Sequence, residues 1–170
     1  EHKITVRYKI AKPVIINGTY SVGNKSLISE GFTSKNYYIP YQVIEPKITF
    51  IKGSVFRTSV YYQYTTSSNN EGGEVLSSNE LTFDLRYNVV AKSTITTKFS
   101  YIAITFDGIE DSPVGYAMLE GLNNGNNILW NVSIDRKLSQ LLQLTASYEG
   151  RKTGDNAITH VGRLQMRAIF

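Results

Sequence analysis

Leu142-Gln143-Leu144-Thr145-Ala146-Ser147-Tyr148-Glu149 alternates apolar and polar side chains without a break. In an extended strand successive side chains point to opposite faces, so this octet has one apolar and one polar face. Leu81-Thr82-Phe83-Asp84-Leu85-Arg86-Tyr87-Asn88 repeats the pattern, as does Ile4-Thr5-Val6-Arg7-Tyr8-Lys9. From Ile128 to Ile134, Ile128, Trp130, Val132 and Ile134 share a side. At the end of the chain Leu164, Met166, Ala168 and Phe170 fall on one face, and Arg163, Gln165 and Arg167 on the other. No long window has the apolar spacing of three and four that a helix requires.

Working outward, the alternation predicts strands over 2–10, 13–23, 36–51, 54–66, 79–90, 94–107, 126–135, 140–151 and 158–170. Most are longer than the ~5–6 residues of soluble strands and match the ~9–11 needed to cross a bilayer at a tilt. Pro46, inside the third, predicts a bulge or a strand break.

The connections alternate in length. Short ones fall at Ala11-Lys12, Lys52-Gly53, Ala91-Lys92-Ser93 and Arg136-Lys137-Leu138-Ser139. Long ones, rich in Gly, Asn and Ser, fall at 24–35, 67–78, 108–125 and 152–157. Outer-membrane barrels separate short periplasmic turns from long extracellular loops in this way. The expected fold is therefore all-β, an antiparallel up-and-down transmembrane β-barrel of about eight to ten strands forming a single domain over residues 1–170. The competing reading is a soluble or secreted β-sandwich acting as a binding or adhesion module.

Composition narrows the function classes. The chain has 170 residues and no cysteine, which excludes disulfides and thiolate metal sites. A net charge of +4 is a modest basic excess. No apolar run approaches the ~20 residues of a membrane helix. His2 and His160 are the two histidines, and a Ser–His–acid arrangement would have to use His160 with Asp155 and a serine, yet no nucleophile motif accompanies it. Asp107, Glu110 and Asp111 cluster without the spacing of a calcium loop and read as a solvated acidic loop. There is no phosphate loop and no nucleic-acid motif, so the expectation is a protein that is not an enzyme, holds no cofactor and binds no nucleic acid.

In a membrane barrel the polar face lines the lumen, which predicts lumen-facing Arg7, Lys9, Arg57, Asp84, Arg86, Lys98, Glu149, Arg163 and Arg167. Glu149 and Arg163 are expected to pair across adjacent strands. Tyr62, Tyr64, Tyr87, Trp130 and Tyr148, toward strand ends, are expected to form interfacial girdles.

The terminus resembles the last strand of outer-membrane barrels, which ends in an aromatic after alternating apolar residues. Leu164, Met166, Ala168 and Phe170 match it, and the resemblance implies a signal for the barrel-assembly machinery. Residues 36–170 resemble the C-terminal end of very large outer-membrane proteins of Bacteroidetes-type bacteria. Trp130-Asn131, Tyr148-Glu149-Gly150-Arg151-Lys152 and His160-Val161-Gly162-Arg163 carry that likeness. It implies a bacterial outer-membrane location, with a periplasmic C-terminus, extracellular long loops and contact with lipid and lipopolysaccharide. The role expected is that of a pore, anchor or scaffold in a transport, secretion or assembly complex with other outer-membrane or periplasmic proteins. Nine strands with a periplasmic C-terminus would start on the outer side, so the chain is expected to be the C-terminal part of a larger barrel.

Overall fold

A computed structural model describes residues 1–31, 36–89 and 92–168. Nine strands form a single antiparallel sheet in sequence order. They are β1 (His2–Ala11), β2 (Val14–Leu27), β3 (Tyr37–Lys52), β4 (Phe56–Ser68), β5 (Val75–Val89), β6 (Ser93–Asp107), β7 (Gly125–Lys137), β8 (Leu142–Thr153) and β9 (Thr159–Ala168). The up-and-down topology matches the pattern of alternation and short turns. A sandwich requires a second sheet packed on the first, and the described residues provide only one. β1 pairs with β2 alone and β9 with β8 alone, so the described sheet has two free edges.

The ladder registers show how the strands lean. The first three turns close between Ala11 and Val14, Lys52 and Phe56, and Val89 and Ser93. Val14 lies opposite Phe50, two residues before Lys52, and Phe56 lies opposite Tyr87, two residues before Val89. Each turn thus closes two residues further along the ladder than the one before, a stagger of one residue per strand. With roughly 3.3 Å per residue and 4.8 Å between strands, that stagger corresponds to a tilt of about 35°. Membrane barrels tilt by roughly 35–45°.

The two faces are buried in an unusual sense. Thr49, Ser59, Thr82 and Ser100, small and polar, are almost completely enclosed. Large apolar side chains on the opposite face are open: Ile48 is 54% exposed, Val60 45%, Leu81 52% and Phe83 41%. Among the described residues no second sheet covers either face, so the enclosed hydroxyls owe their burial to the side chains around them on the face where a short helix docks. Thr49 bonds Ser59 at 3.1 Å and Thr82 bonds Ser100 at 2.6 Å, which satisfies these groups across adjacent strands.

Pro46 causes neither a bulge nor a break. β3 runs straight through it, facing Gly18 of β2. On the β4 side the register is unchanged from Ile44–Tyr64 to Lys47–Tyr61, and only the pairings at Glu45 and Pro46 are missing. The cost is local because the proline removes a single N–H.

The loop between β6 and β7 departs from the expectation of an irregular segment. It carries helix α1 (Pro113–Leu119). The Ser112 side chain caps it by accepting from the Gly115 N–H at 2.9 Å, and Pro113 stands at its first position, where a missing N–H costs nothing. Glu120 ends it in the left-handed conformation, φ 53°. Seven residues cannot hold a helix by themselves. Packing does: Val114, Met118 and Leu119 bury against Ile39, Leu76, Ile102, Ile104 and Phe106.

Candidate lumen face and aromatic belts

All nine charged residues expected on the polar face share it in the register. Lys9, Ile15, Thr49, Ser59, Asp84, Lys98, Asn131, Glu149 and Val161 form one unbroken row across nine strands. Arg7 stands opposite Asn17, Arg57 opposite Arg86, Arg163 opposite Ser147 and Arg167 opposite Gln143. Asp84 faces Lys98 directly. The expected Glu149–Arg163 pair is not made. Glu149 faces Val161 and Arg163 faces Ser147, and among the described residues the only ion pair is Lys25 with Glu120. A one-step offset separates the two charges, and hydrophobic periodicity cannot fix register to that precision.

Helix α1 lies on this same polar face at its loop end, because Leu76 pairs with Phe106, and Glu80 with Ile102, two residues from Ser100. The expectation of a wholly polar inner face is therefore corrected there. Ile39, Leu76, Ile102, Ile104 and Phe106 make an apolar seat for the helix. Two polar ties hold the helix end to the walls. Lys25 of β2 reaches Glu120, and Arg151 of β8 donates to the Gly121 carbonyl at 2.8 Å. Two hollows flank the segment from α1 to Leu122. The larger, about 690 Å³, includes Glu80, Lys98, Glu149 and Arg151 in its lining. The smaller, about 320 Å³, includes Lys25, Gln63 and Glu80. Glu120, Leu122 and Ile102 line both.

Lys25, Lys47, Glu80, Glu120 and Arg151 are polar-face or helix charges that the sequence reading passed over. Lys47 and Arg151 were open to detection, since each continues the alternation of its strand two residues from Thr49 and Glu149. Lys47 stacks over Tyr61 at 4.9 Å from the ring centre, with Lys98 on the same ring at 5.9 Å. Glu120 had no such signal, because a helical cap in a loop follows no strand period.

On the apolar face the aromatics fall into two belts once the stagger is allowed for. Tyr20, Tyr62, Tyr64, Tyr101, Trp130 and Tyr148 lie toward the loops, and Phe50, Phe56 and Tyr87 toward the turns. Phe56 meets Phe50 and Tyr87 edge to face, with ring centres 6.1 and 6.4 Å apart. Along β4 the belts are eight residues apart, from Phe56 to Tyr64, or roughly 21 Å in height at a 35° tilt. Between them stand Ile48, Val60, Phe83, Leu85 and Val132, with Thr58 and Thr97 as minor polar interruptions. Leu164, Met166 and Ala168 continue this face on β9, and Phe170 lies outside the described residues.

His160 belongs to the apolar face. It stacks on Tyr148, with ring centres 5.9 Å apart and 12° between planes, and Tyr148 Oη bonds its Nδ1 at 2.7 Å. Trp130 meets its ring edge to face at 6.0 Å. Gly150 leaves the space the indole fills, since a Cβ there would run into Trp130. Neither a serine nor a carboxylate hydrogen-bonds His160 among the described residues, so the arrangement considered with Asp155 is not assembled. Among the described residues no group of three metal-ligating side chains occurs.

No protein-family model matches the chain, and no curated protein matches its sequence. Solved structures do. In-vitro folded OmpT, an outer membrane protein of Vibrio cholerae, superposes with a TM-score of 0.66 at 11% identity, covering 98% of this chain and 54% of that one. Its trimer form gives 0.65 at 12% identity, covering 97% and 54%. OmpT expressed in the outer membrane gives 0.59 at 12% identity, covering 88% and 44%. The chain spans about half the length of the structures it matches. At such identities the likeness concerns architecture: nine tilted antiparallel strands arranged as in an outer-membrane β-barrel.

Proposed function

We propose that this chain forms part of the wall of a bacterial outer-membrane barrel that encloses a narrowed aqueous pathway. The observation that carries the reading is the docking of α1 on the polar face, where it divides the loop end into two charge-lined hollows. An anchor or scaffold has no need of charge-lined hollows along its inner wall. A soluble protein would bury the face that is open here.

The aromatic belts then sit at the two membrane interfaces, and the apolar band between them meets lipid. A band of roughly 21 Å approaches the ~25 Å typical of such barrels. The nine polar-face charges line the lumen and steer solutes without a chemical step, so the reading is of a passage and not a catalyst. β1 and β9 run in the same direction, so antiparallel closure takes an odd number of further strands, giving an even total. The finer placement is in the C-terminal barrel region of large Bacteroidetes-type outer-membrane proteins, with the short turns periplasmic and the long loops extracellular. The support is the Trp130-Asn131, Tyr148–Lys152 and His160–Arg163 runs. Leu164, Met166, Ala168 and Phe170 would address such a barrel to its assembly machinery, and transport or secretion partners would meet it at the loops or turns.

Single-channel recording in planar bilayers tests the pathway on the closed barrel. Replacing residues 109–123 by a short Gly-Ser linker should raise conductance severalfold. A folded barrel that conducts no ions with or without α1 leaves the anchor or scaffold role in its place.

A further inference from the structure

Charge on the polar face is balanced at the loop end and unbalanced toward the turns. The two hollows beside α1 hold Glu80, Glu120 and Glu149 among Lys25, Lys98 and Arg151. One rung closer to the turns than Asp84, the register runs Arg57, Arg86, Thr96, Ser133, Ser147, Arg163 across six strands. This rung is made of arginines and hydroxyls and contains no acid. Each member stands two residues from its strand's member of the row through Asp84, so all six share the polar face.

Arg57 and Arg86 are direct partners in that rung. Opposed side chains on one face of an antiparallel pair have Cβ atoms about 4.5–5.5 Å apart, and like charges placed there repel. The register behind them is pinned. Their chain neighbours Phe56 and Tyr87 are partners on the outer face, edge to face with ring centres 6.4 Å apart. Thr58, the other neighbour of Arg57, donates its hydroxyl to the Asp84 carbonyl at 3.0 Å. The acids on the adjoining rungs do not answer the arginines. Asp84 faces Ser59 and Lys98, and Glu149 faces Asn131 and Val161. Asp135 accepts from the Thr145 hydroxyl at 2.5 Å. Among the described residues no acid pairs with Arg57, Arg86 or Arg163.

We infer that the Arg57–Arg86 pair holds the phosphate group of a small solute inside the lumen. The inference rests on the proposed reading of the polar face as the wall of an aqueous pathway. Charge favours phosphate: a phosphate monoester carries about −1.5 to −2 at neutral pH, enough to offset two guanidinium groups, where a carboxylate offsets one. Geometry favours it as well, because phosphate oxygens accept from two planar guanidinium forks at once. Thr96, the partner of Arg86 on β6, places a hydroxyl donor beside them. The pair faces the enclosed side, so the phosphate belongs to a solute and not to a bilayer lipid.

The test uses the closed barrel that contains this chain, in alkyl maltoside micelles, with inorganic phosphate as the probe and its phosphorus NMR line width as the readout. The wild type should broaden the line of millimolar phosphate saturably at low salt and near neutral pH. Acetate at matched ionic strength should displace the phosphate about tenfold less well than unlabelled sugar phosphate does. Arg57→Gln/Arg86→Gln should weaken binding by about fivefold or more. Arg136→Gln, at the same end of β7 but on the outer face beside Ser93 and Leu144, should leave it unchanged. Absence of saturable broadening by the wild type overturns the site without any variant having to fold. Broadening that survives in the double variant overturns it too, and equal displacement by acetate overturns the assignment to phosphate. The conductance measurement decides the aqueous pathway separately, so a conducting barrel that ignores phosphate loses the site and keeps the pathway.

Discussion

The two faces of the same nine strands invert the rule of soluble proteins. Val60 and Ser59 are chain neighbours in β4, yet Val60 is 45% exposed and Ser59 is 4% exposed. Among the described residues nothing covers the apolar face, and the polar face encloses its own small hydroxyls and one short helix. A strand pattern states that two faces differ. Burial states which one is inside, and here the enclosed Thr and Ser rows mark it. On the proposed membrane reading, the solvent for the outer face is hydrocarbon.

That contrast is open to attack at its strongest point. Val60→Arg places a charge midway between the aromatic belts and should destabilise the protein in phospholipid vesicles by about 2–4 kcal/mol. Gln63→Arg, on the polar face of the same strand, should cost under about 1 kcal/mol. Equal costs, read by equilibrium denaturation in vesicles, break the comparison.

The helix seat is the next lever. Leu119→Ala removes a buried anchor of α1 and should cost about 2–3 kcal/mol locally. Limited proteolysis within residues 108–124 should accelerate while the strands remain protected. Gly150→Ala pushes against the Trp130 indole and should cost about 1–3 kcal/mol, accompanied by a change in emission from the single tryptophan. Glu120→Gln removes an exposed partner of Lys25 and should move stability by under about 1 kcal/mol, which thermal unfolding in detergent would register.

The strands were largely legible in the sequence because a period of two over ten or more residues has few rival explanations. β8 and β9 begin within two residues of their expected starts, at Leu142 and Thr159. β5 begins four residues early, at Val75, because Val75-Leu76-Ser77-Ser78 pair with the far end of β6, a contact between segments that local alternation does not report. The face of each charge was legible too, since parity along a strand survives boundary errors. The register between strands was not, and Glu149 and Arg163 missed one another for that reason. Helix α1 escaped altogether. Seven residues are too few for a helical period, and its stability comes from Ile39 and Leu76, which are distant in sequence. Ser112-Pro113 was the one local sign, a capping residue followed by a proline fit for a first turn.

The central claim is that the apolar face meets lipid and the polar face meets water. In a Trp130→Phe background, single tryptophans at Val60→Trp and Gln63→Trp report the two faces of β4 in vesicles of brominated phospholipid. The account predicts strong quenching of the tryptophan at 60 and little at 63. Equal quenching at both positions, or the reverse order, would contradict it.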